Sequence, residues 1–550
     1  MDSRARELVK IGDGLFTKKR PHDETNQEIA ENFYPLRADF TSPFSLGEDF
    51  SGDLMESFPV QARETLGNAP SSMLRTGQWF NVRTGFEEID EAAANAQWLE
   101  AATSRFKRLI YDRRANFTRA TGEVDHDYVT FGGGVLSVGE SSGRDHFLFR
   151  SWHPRDCVWM ENPDCKIDHL QRFMPTTARN IMANPVWAKN AHRDIVEAAK
   201  TEPTKEFKVR HVVLPADEMY GDDKARRRRL MANGMQFVSL YIDCEHEEIL
   251  GEGALPVFCY VTPRWRTISN YQYGFSPAAI TALPDGRMIQ SMARILLEQG
   301  EKAVDPPTIG KGDIFRDEIN LYAGGHTHVD LEDSDDIRKV FQTIEQGGNL
   351  GLGLEMKQDV RMLIAESFLL NKLMLPSARE MTAFETQARL DEFRRAALPF
   401  FGPIESEYHL PLLDCAFQIA VRNKSFNFKE MPEDLQGEDV TFTFDTPLNT
   451  AEGRQTILAY QESLQIILGA AQVDKTIAAG YDIKQATKDA VRATGAKADW
   501  ILEGDVAEES EDAAAVDANL VKAAELGLAG AGVAGAVADS SIKLQEAGLA

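Results

Sequence analysis

The stretch PRWRTISNYQYGFSPAAITALPDG, residues 263–286, sets two arginines, a tryptophan and two tyrosines among prolines, directly ahead of a long helical pattern. Arginines interleaved with aromatics are what a single-stranded nucleic-acid platform requires. The same residues also suit a backbone corner. Pro263, Pro277 and Pro284 restrict the chain, and Gly274 supplies freedom between them. Trp265, Tyr271 and Tyr273 bury large rings while keeping a polar handle, and Arg264 and Arg266 can stack on them or pair with carboxylates. A platform needs its rings on one face of an open basic groove, and nothing upstream adds positive charge. The stretch is therefore read as a structural elbow, where a β-rich body hands over to a projecting helix.

Downstream of the elbow, DGRMIQSMARILLEQGEKAV places Met288, Met292, Ile295, Leu296 and Ala303 at helical spacing, a helix of about 30 Å. Asp305-Pro306-Pro307 ends it, because a proline pair cannot continue a helix. A glycine-punctuated stretch, read as β, runs from Thr308 to Asn349. A second amphipathic helix follows in LEMKQDVRMLIAESFLLNKLML, with Met356, Val360, Leu363, Ile364 and Met374 on one stripe. A longer helical pattern runs from Thr382 to about Asn423, and Pro399, Pro403 and Pro411 should bend it.

Upstream, residues 1–130 read mostly as helices, with Trp98, Leu99, Phe106, Leu109 and Ile110 at helical spacing. From Tyr128 to about Pro263 the pattern is β-rich: YVTFGGGVLSVGE, HFLFRSWHPRDCVWM, KIDHLQRFM, KVRHVVL and MQFVSLYIDC are short runs bounded by turn residues. TTARNIMANPVWAKNAHRDIVEAAKTE interrupts them as a helix or two. Between Glu503 and Asp512 stand six acidic residues, followed by Ala/Gly-rich sequence with little to bury, read as weakly helical or disordered.

A chain of 550 residues with 43% apolar composition has ample material for a core, and its length is that of roughly two to four domains. The formal net charge of −26 excludes a general phosphate binder, which would carry the opposite sign or a concentrated basic face. Five cysteines in so long a chain make no disulfide framework and fit a reducing compartment. The N-terminus lacks the apolar core of a signal peptide, and no run of about 18 apolar residues could span a bilayer. The expectation is a soluble protein made in the cytoplasm.

Chemical motifs are weak. FGGGVLSVGE, GGNLGLGLEM and IGKGD are glycine clusters that complete neither a dinucleotide fingerprint nor a phosphate-cradling loop. His153, Cys157, Cys165 and His169 have zinc-like symmetry, but a turn at Asn162–Asp164 would leave the cysteines roughly 15 Å apart along an extended chain, against a Zn–S bond of ~2.3 Å. His326 and His328 with Asp330 fit one face of a hairpin. No catalytic, cofactor-binding or metal residue is nominated. The basic run DDKARRRRL, Asp222 to Leu230, reads as a solvated loop or as a contact for an anionic partner or neighbouring subunit.

The elbow and its surroundings resemble the head-to-tail connector (portal) proteins of short-tailed, double-stranded-DNA bacteriophages. The matching pieces are PRW (263–265), YGFSPAAITALPDGRMIQSM (273–292), KAVDPP (302–307) and MTAFETQARLDEFRRAALPFFGPIESEYHLPLLDCAF (381–417). IAENFYPLRADF (29–40), WLEAATSRFKRLI (98–110), FGGGVLSVGE (131–140) and YDIKQATKDAVRATGAKADWIL (481–502) fit in order, so that the resemblance covers roughly residues 5–505.

The resemblance implies an α+β subunit assembled as a ring, usually a dodecamer, around a DNA channel. In that scheme residues 1–285 are the wing and 286–306 the first stem helix. Residues 307–352 are the clip, 353–375 the second stem helix and 376–382 a channel loop. The long wing helix is 383–425, wing and crown are 426–505, and the acidic tail is 506–550. Stem packing falls to Met288, Met292, Ile295, Leu296, Val360, Leu363 and Ile364, and the implied DNA-channel residues are Ser377, Arg379 and Glu380 of the loop with Lys372 just before it. Implied partners are further copies of the chain, the large terminase subunit, major capsid and scaffolding proteins, tail or adaptor proteins, and double-stranded DNA bound without sequence preference. The implied location is the portal vertex of the virion. No enzymatic activity and no cofactor are expected. Two other classes stay open on the residues alone, a cytoplasmic multidomain hydrolase and a capsid or tail scaffold without a channel.

Overall fold

The computed structural model of the chain describes residues 3–42, 51–306, 308–311, 322–329, 341–343, 350–370, 402–444, 459–467, 486–487 and 490–491, apart from single positions 53, 78, 142, 144 and 222. Helix and strand are mixed, as expected of an α+β chain. The chain divides into two units. One comprises residues 1–82, 102–429 and 442–450, and the other 83–101, 430–441 and 451–550.

In chain order the helical N-terminal part consists of α1 (Ser3–Phe33), α2 (Phe58–Met73), β1 (Phe80–Arg83), α3 (Glu87–Glu91), α4 (Ala93–Ile110) and α5 (Phe117–Phe131). The β-rich part runs through β2 (Val135–Glu140), β3 (Phe147–Trp152), β4 (Cys157–Glu161) and β5 (Ile167–Thr177). It continues through α6 (Ala178–Ala183), α7 (Pro185–Asn190), α8 (Arg193–Thr201), β6 (Glu206–Pro215), α9 (Ala216–Met219) and α10 (Lys224–Ala232). β7 (Phe237–Asp243), β8 (Glu248–Leu255) and β9 (Tyr260–Val261) complete it. Beyond the elbow come α11 (Leu283–Val304), β10 (Thr308–Lys311), β11 (His326–Val329), β12 (Phe341–Thr343), α12 (Leu350–Ser367), α13 (Leu410–Arg422) and β13 (Thr441–Phe444).

The centre of the larger unit is an antiparallel sheet in the order β4-β5-β6-β7-β8. Side chains alternate across a strand, and β6 uses both faces. Val212 and Leu214 join Ala5, Leu8 and Val9 of α1 in one core. On the opposite face, Phe207 and Val209 pack with Ile181 and Ile195 of the helical insertion, and Val213 packs with Trp159, Leu170 and Tyr260. Polar residues on the α1 face reach the helix backbone: Gln171 donates to the Leu8 carbonyl at 3.1 Å and Arg210 to the Val9 carbonyl at 2.9 Å. Gly12 makes that approach possible, because a Cβ there would lie 2.0 Å from Gln171 Oε1.

Two expectations are corrected. Tyr128–Phe131 ends α5 rather than opening a strand: Gly132 adopts φ +78° and its N–H caps the Tyr128 carbonyl, so the helix persists to the glycine. The basic run forms α10 rather than a loop. Asp223 accepts from the Arg226 N–H, and every residue of the helix it starts, Lys, Ala, Arg, Leu or Met, is a good helix former. The insertion between β5 and β6 forms three short helices, each opened by a side-chain cap from Thr177, Asn184 or His192.

α2 and α5 pack face to face through Gly67, where a Cβ would lie 2.1 Å from His126 Nδ1. Around them sit buried ion pairs: Arg37 binds Asp127 through two hydrogen bonds, of 3.1 and 2.8 Å, and Arg75 pairs with Asp125. An aromatic cluster of Phe80, Phe106, Phe417 and Phe442 closes the same region in edge-to-face and tilted contacts. In the smaller unit, the Asp90 carboxylate accepts from the Thr84 N–H and hydroxyl, and the Tyr460 and Thr487 hydroxyls share a hydrogen bond of 2.8 Å.

Three short strands, β10 between β11 and β12, form a separate sheet between α11 and α12. β10 is parallel to β11 and antiparallel to β12. Among the described residues no helix is long and apolar enough to cross a membrane.

Candidate functional site

The elbow forms where the end of α5 meets residues 263–277. Trp265 N–H donates to the Gly132 carbonyl at 2.9 Å, and Phe275 N–H closes the loop onto the Arg266 carbonyl at 2.9 Å. Gly132 and Gly274 touch backbone to backbone. A Cβ on Gly274 would lie 2.1 Å from the Gly132 oxygen, and one on Gly132 would lie 2.5 Å from the Phe275 carbonyl carbon. No other residue type fits either place without moving main chain.

Arg264 ties this corner to two other elements. Its guanidinium holds Glu407 through two hydrogen bonds, of 3.1 and 3.0 Å, and Glu161 through one of 2.7 Å. Its backbone N–H also donates to Glu407, at 3.1 Å. Burial opposes the charge of Arg264, but the bonds to Glu407 and Glu161 outweigh it and raise its pKa. The rings of the stretch diverge. Trp265 leans on Tyr128, with centroids 5.3 Å apart, whereas Tyr273 stacks on His22 and tilts against Trp159, and Tyr271 is exposed. Burial, with Lys19 nearby, lowers the His22 pKa to about 4. This geometry leaves Arg264 no free charge for a phosphate and gives no common stacking face.

Pro277 opens the turn into α11, and Ser276 Oγ accepts from Ala279 N–H at 3.0 Å. Ala278–Ala282 is a wide, π-type turn that delivers the chain to Pro284. The same device recurs at Glu405–His409 ahead of Pro411. A proline ring would clash with the carbonyl four residues back, and the wider turn relieves the clash. The second turn presents Glu407 to Arg264. It also buries Tyr408 and His409 beside Arg75, Asp125 and Trp79. Neither ring nitrogen of His409 has a hydrogen-bond partner among the described residues. Burial raises the Asp125 pKa to about 6 despite Arg75.

α11 and α12 pack antiparallel. Gly286 lies against Phe33, which also touches Phe368 at 5.3 Å, and at the far end Gly353 lies against Leu296. Within the chain the buried face of α11 is Leu283, Gly286, Ile289 and Ala293, while Val360, Ile364 and Phe368 are buried on the α12 side. Of the expected packing residues, Met292 and Leu296 are half-buried. Met288, Ile295 and Leu363, with Leu297, Met356 and Met362, are 46–59% exposed. Trp265, Ile280, Asp285, Leu363 and Glu366 line an open groove of about 420 Å³ at the elbow end.

Glu56 clamps the pair to the body. It accepts from Arg361 at 2.7 Å and pairs with Lys357 at 2.5 Å, while Gln290 of α11 accepts from the Met55 and Glu56 N–H groups and donates to the Glu56 carbonyl. Burial raises the Glu56 pKa, but the hydrogen bonds from Lys357 and Arg361 outweigh it, so the net shift is downward. No local sequence signal marks Glu56 or Glu407, since Arg361 lies 305 residues downstream of Glu56 and Arg264 lies 143 residues upstream of Glu407.

Lys372, Ser377, Arg379 and Glu380 lie outside the described residues, as does Pro399. His153, Cys157, Cys165 and His169 do not converge: Cys157 opens β4, Cys165 sits in the β4–β5 turn at φ +59°, His153 bonds Asp39 and His169 faces Gln171. His326 and His328 lie on β11, and Asp330 is outside the described residues. Metal-ligand types meet at His192, Asp194 and His246, a group no sequence motif had assembled.

The sequence model of the family described as "Bacteriophage head to tail connecting protein" matches residues 5–502. A probable portal protein of Bordetella phage BPP-1 is 25% identical over 387 residues, an alignment covering 68% of this chain and 66% of the relative, just under two thirds of its length.

Two outcomes are expected. Gly274→Ala should destabilise the protein by about 2–3 kcal/mol, at the upper end for overpacking because the obstacle is backbone. Gly14→Ala, with nothing within 4 Å of its Cβ, is the control and should be neutral or mildly stabilising in thermal unfolding. Glu56 stabilises the fold above its ordinary pKa, and that contribution is lost as pH falls through its lowered folded value. Glu56→Gln should therefore cost about 1–2 kcal/mol at neutral pH and flatten that part of the acid limb in a pH series.

Proposed function

The chain belongs to the bacteriophage head to tail connecting proteins, and on that premise we propose that it is a portal subunit. Copies close into a ring, a dodecamer, at one capsid vertex. Double-stranded DNA enters through its axial channel during packaging and leaves through it into a short tail.

The observation that carries this reading is the apolar surface that the α11–α12 pair leaves uncovered. Six large apolar side chains on two adjacent helices, each about half exposed, are more than a single soluble chain leaves bare without a partner. A second copy of the same pair covers them, and repetition around an axis closes a ring. In this proposal 286–306 and 353–375 are the stem, and 307–352, with the β10–β12 sheet, is the clip that meets the large terminase subunit and later tail or adaptor proteins. Residues 1–285 and 383–425 form the wing, with 426–505 as wing and crown. Major capsid and scaffolding proteins surround the ring, and the role of 506–550 stays unassigned.

The charge supports a conduit. At −26 the chain avoids the counterion-release affinity that makes DNA adhere, so DNA can slide. Force then comes from the packaging ATPase. Residues 376–382 are the proposed channel loop, flanked by Lys372, and Lys372 and Arg379 are its contacts to passing phosphates, with Ser377 and Glu380 beside them.

Ile364 is fully buried inside the chain, so its replacement by Asp would unfold the helix pair as well as break a ring. Ile295→Asp and Met362→Asp are cleaner tests, because both side chains are exposed in one copy. Each should keep the monomer's thermal midpoint yet give monomers or open oligomers in size-exclusion chromatography with light scattering; unaltered large assemblies in both variants would refute the stem interface. Separately, Arg379→Glu should assemble normally and package less DNA per head. Full heads at the normal rate would remove this residue from the DNA path.

A further inference from the structure

The helical insertion and the five-stranded sheet meet at a second cluster of titratable side chains. His192 and Asp194 open α8, Asp243 ends β7 and His246 lies in the β7–β8 turn. His246 Nε2 lies 3.2 Å from Asp194 Oδ2, and His192 Nδ1 lies 3.6 Å from the same oxygen. All three ligand atoms fall within 4.8 Å of one another. Donors about 2.1 Å from a shared tetrahedral ion stand roughly 3.4 Å apart, so both measured separations are close to those of two ligands on one metal.

His246 is held for that role. Its Nδ1 bonds the Asp243 carboxylate at 2.6 Å, and the Asp243 side chain is fully buried, with its other oxygen accepting the Glu245 N–H at 2.9 Å. A buried carboxylate on one imidazole nitrogen fixes the ring and turns the other nitrogen outward as a ligand, the arrangement that supports metal-bound histidines. His192 stacks on His246 with centroids 3.9 Å apart and planes at 16°. Bringing His192 Nδ1 onto a common ion requires a turn of its half-exposed ring, at the expense of one long hydrogen bond, 3.3 Å, from Asp194 N–H.

We propose that His192, Asp194 and His246 bind one divalent transition-metal ion of the zinc class, pinning α8 to the β7–β8 turn. Two imidazoles and one carboxylate select zinc, cobalt, nickel or copper over magnesium and calcium, which prefer oxygen ligands. Water completes the coordination.

The test uses metal-stripped full-length protein titrated with Co²⁺, read by its visible d–d absorbance, followed by displacement with Zn²⁺. The expected result is one saturable site per chain, displaced by Zn²⁺ and untouched by Mg²⁺, with a Zn²⁺-dependent rise in the thermal midpoint. His246→Gln and, on the more exposed side, His192→Gln should each weaken Co²⁺ binding at least tenfold. Asp243→Asn, which reaches the ion only through His246, should weaken it about 10- to 100-fold. Absence of a saturable Co²⁺ band, or binding unchanged in both histidine variants, would overturn the proposal. Thermal stabilisation by Mg²⁺ equal to that by Zn²⁺ would do the same.

Discussion

The larger unit depends on one close contact, the main-chain approach of Gly132 to Gly274, and on the arginine that secures it. The first glycine ends α5 and the second lies in the loop that turns the chain into α11, so their contact sets where the projecting helix leaves the body. Arg264, next to that contact, converts a steric fit into an electrostatic one. It satisfies Glu161 from the β4–β5 hairpin and Glu407 from the turn ahead of α13 at once. Three elements distant in sequence therefore share one buried cation. Removing the cation would leave two carboxylates in partly buried surroundings, where an unpaired charge is costly.

From that anchor the two long helices acquire two faces with different uses. Small residues, Gly286 and Ala293, let α11 approach the body and α12 closely, and Phe33 fills the gap against Gly286. Met288, Ile295 and Leu297 of α11, with Met356, Met362 and Leu363 of α12, stay about half exposed. In the proposed ring, helices of a neighbouring copy cover these side chains. Glu56 holds the pair from the body side through Lys357 and Arg361. Neighbouring copies could then pack on the exposed face without displacing the internal one. The wide turns before Pro284 and Pro411 place those two prolines where their rings do no harm.

Local signals in the sequence carried the order of elements well. The prolines and glycine of the elbow, the helix stop at Asp305-Pro306, and the alternation in β4 to β7 were all readable because each depends on neighbours in the chain. The face of α11 that the chain itself buries was not. Met288 and Ile295 stand out in a hydrophobic count, yet Leu283, Gly286, Ile289 and Ala293 are what the chain covers; Gly286 and Ala293 belong to that face because close packing has room there only for small side chains, which hydrophobicity scales pass over. The partners of Arg264 were equally hidden: an arginine announces that a carboxylate is needed, but among so many acidic residues nothing singled out Glu407. The four arginines of α10 looked like a loop because their charge masked their helix propensity. His192 and His246 gave no motif at all, being brought together only by the sheet.

Electron microscopy of the purified full-length protein tests the central claim most directly. A portal subunit should give closed rings of uniform symmetry with a central hole, the two long helices lining up around the axis with their apolar faces against neighbouring copies. Monomers, or particles with no axial opening, would contradict it.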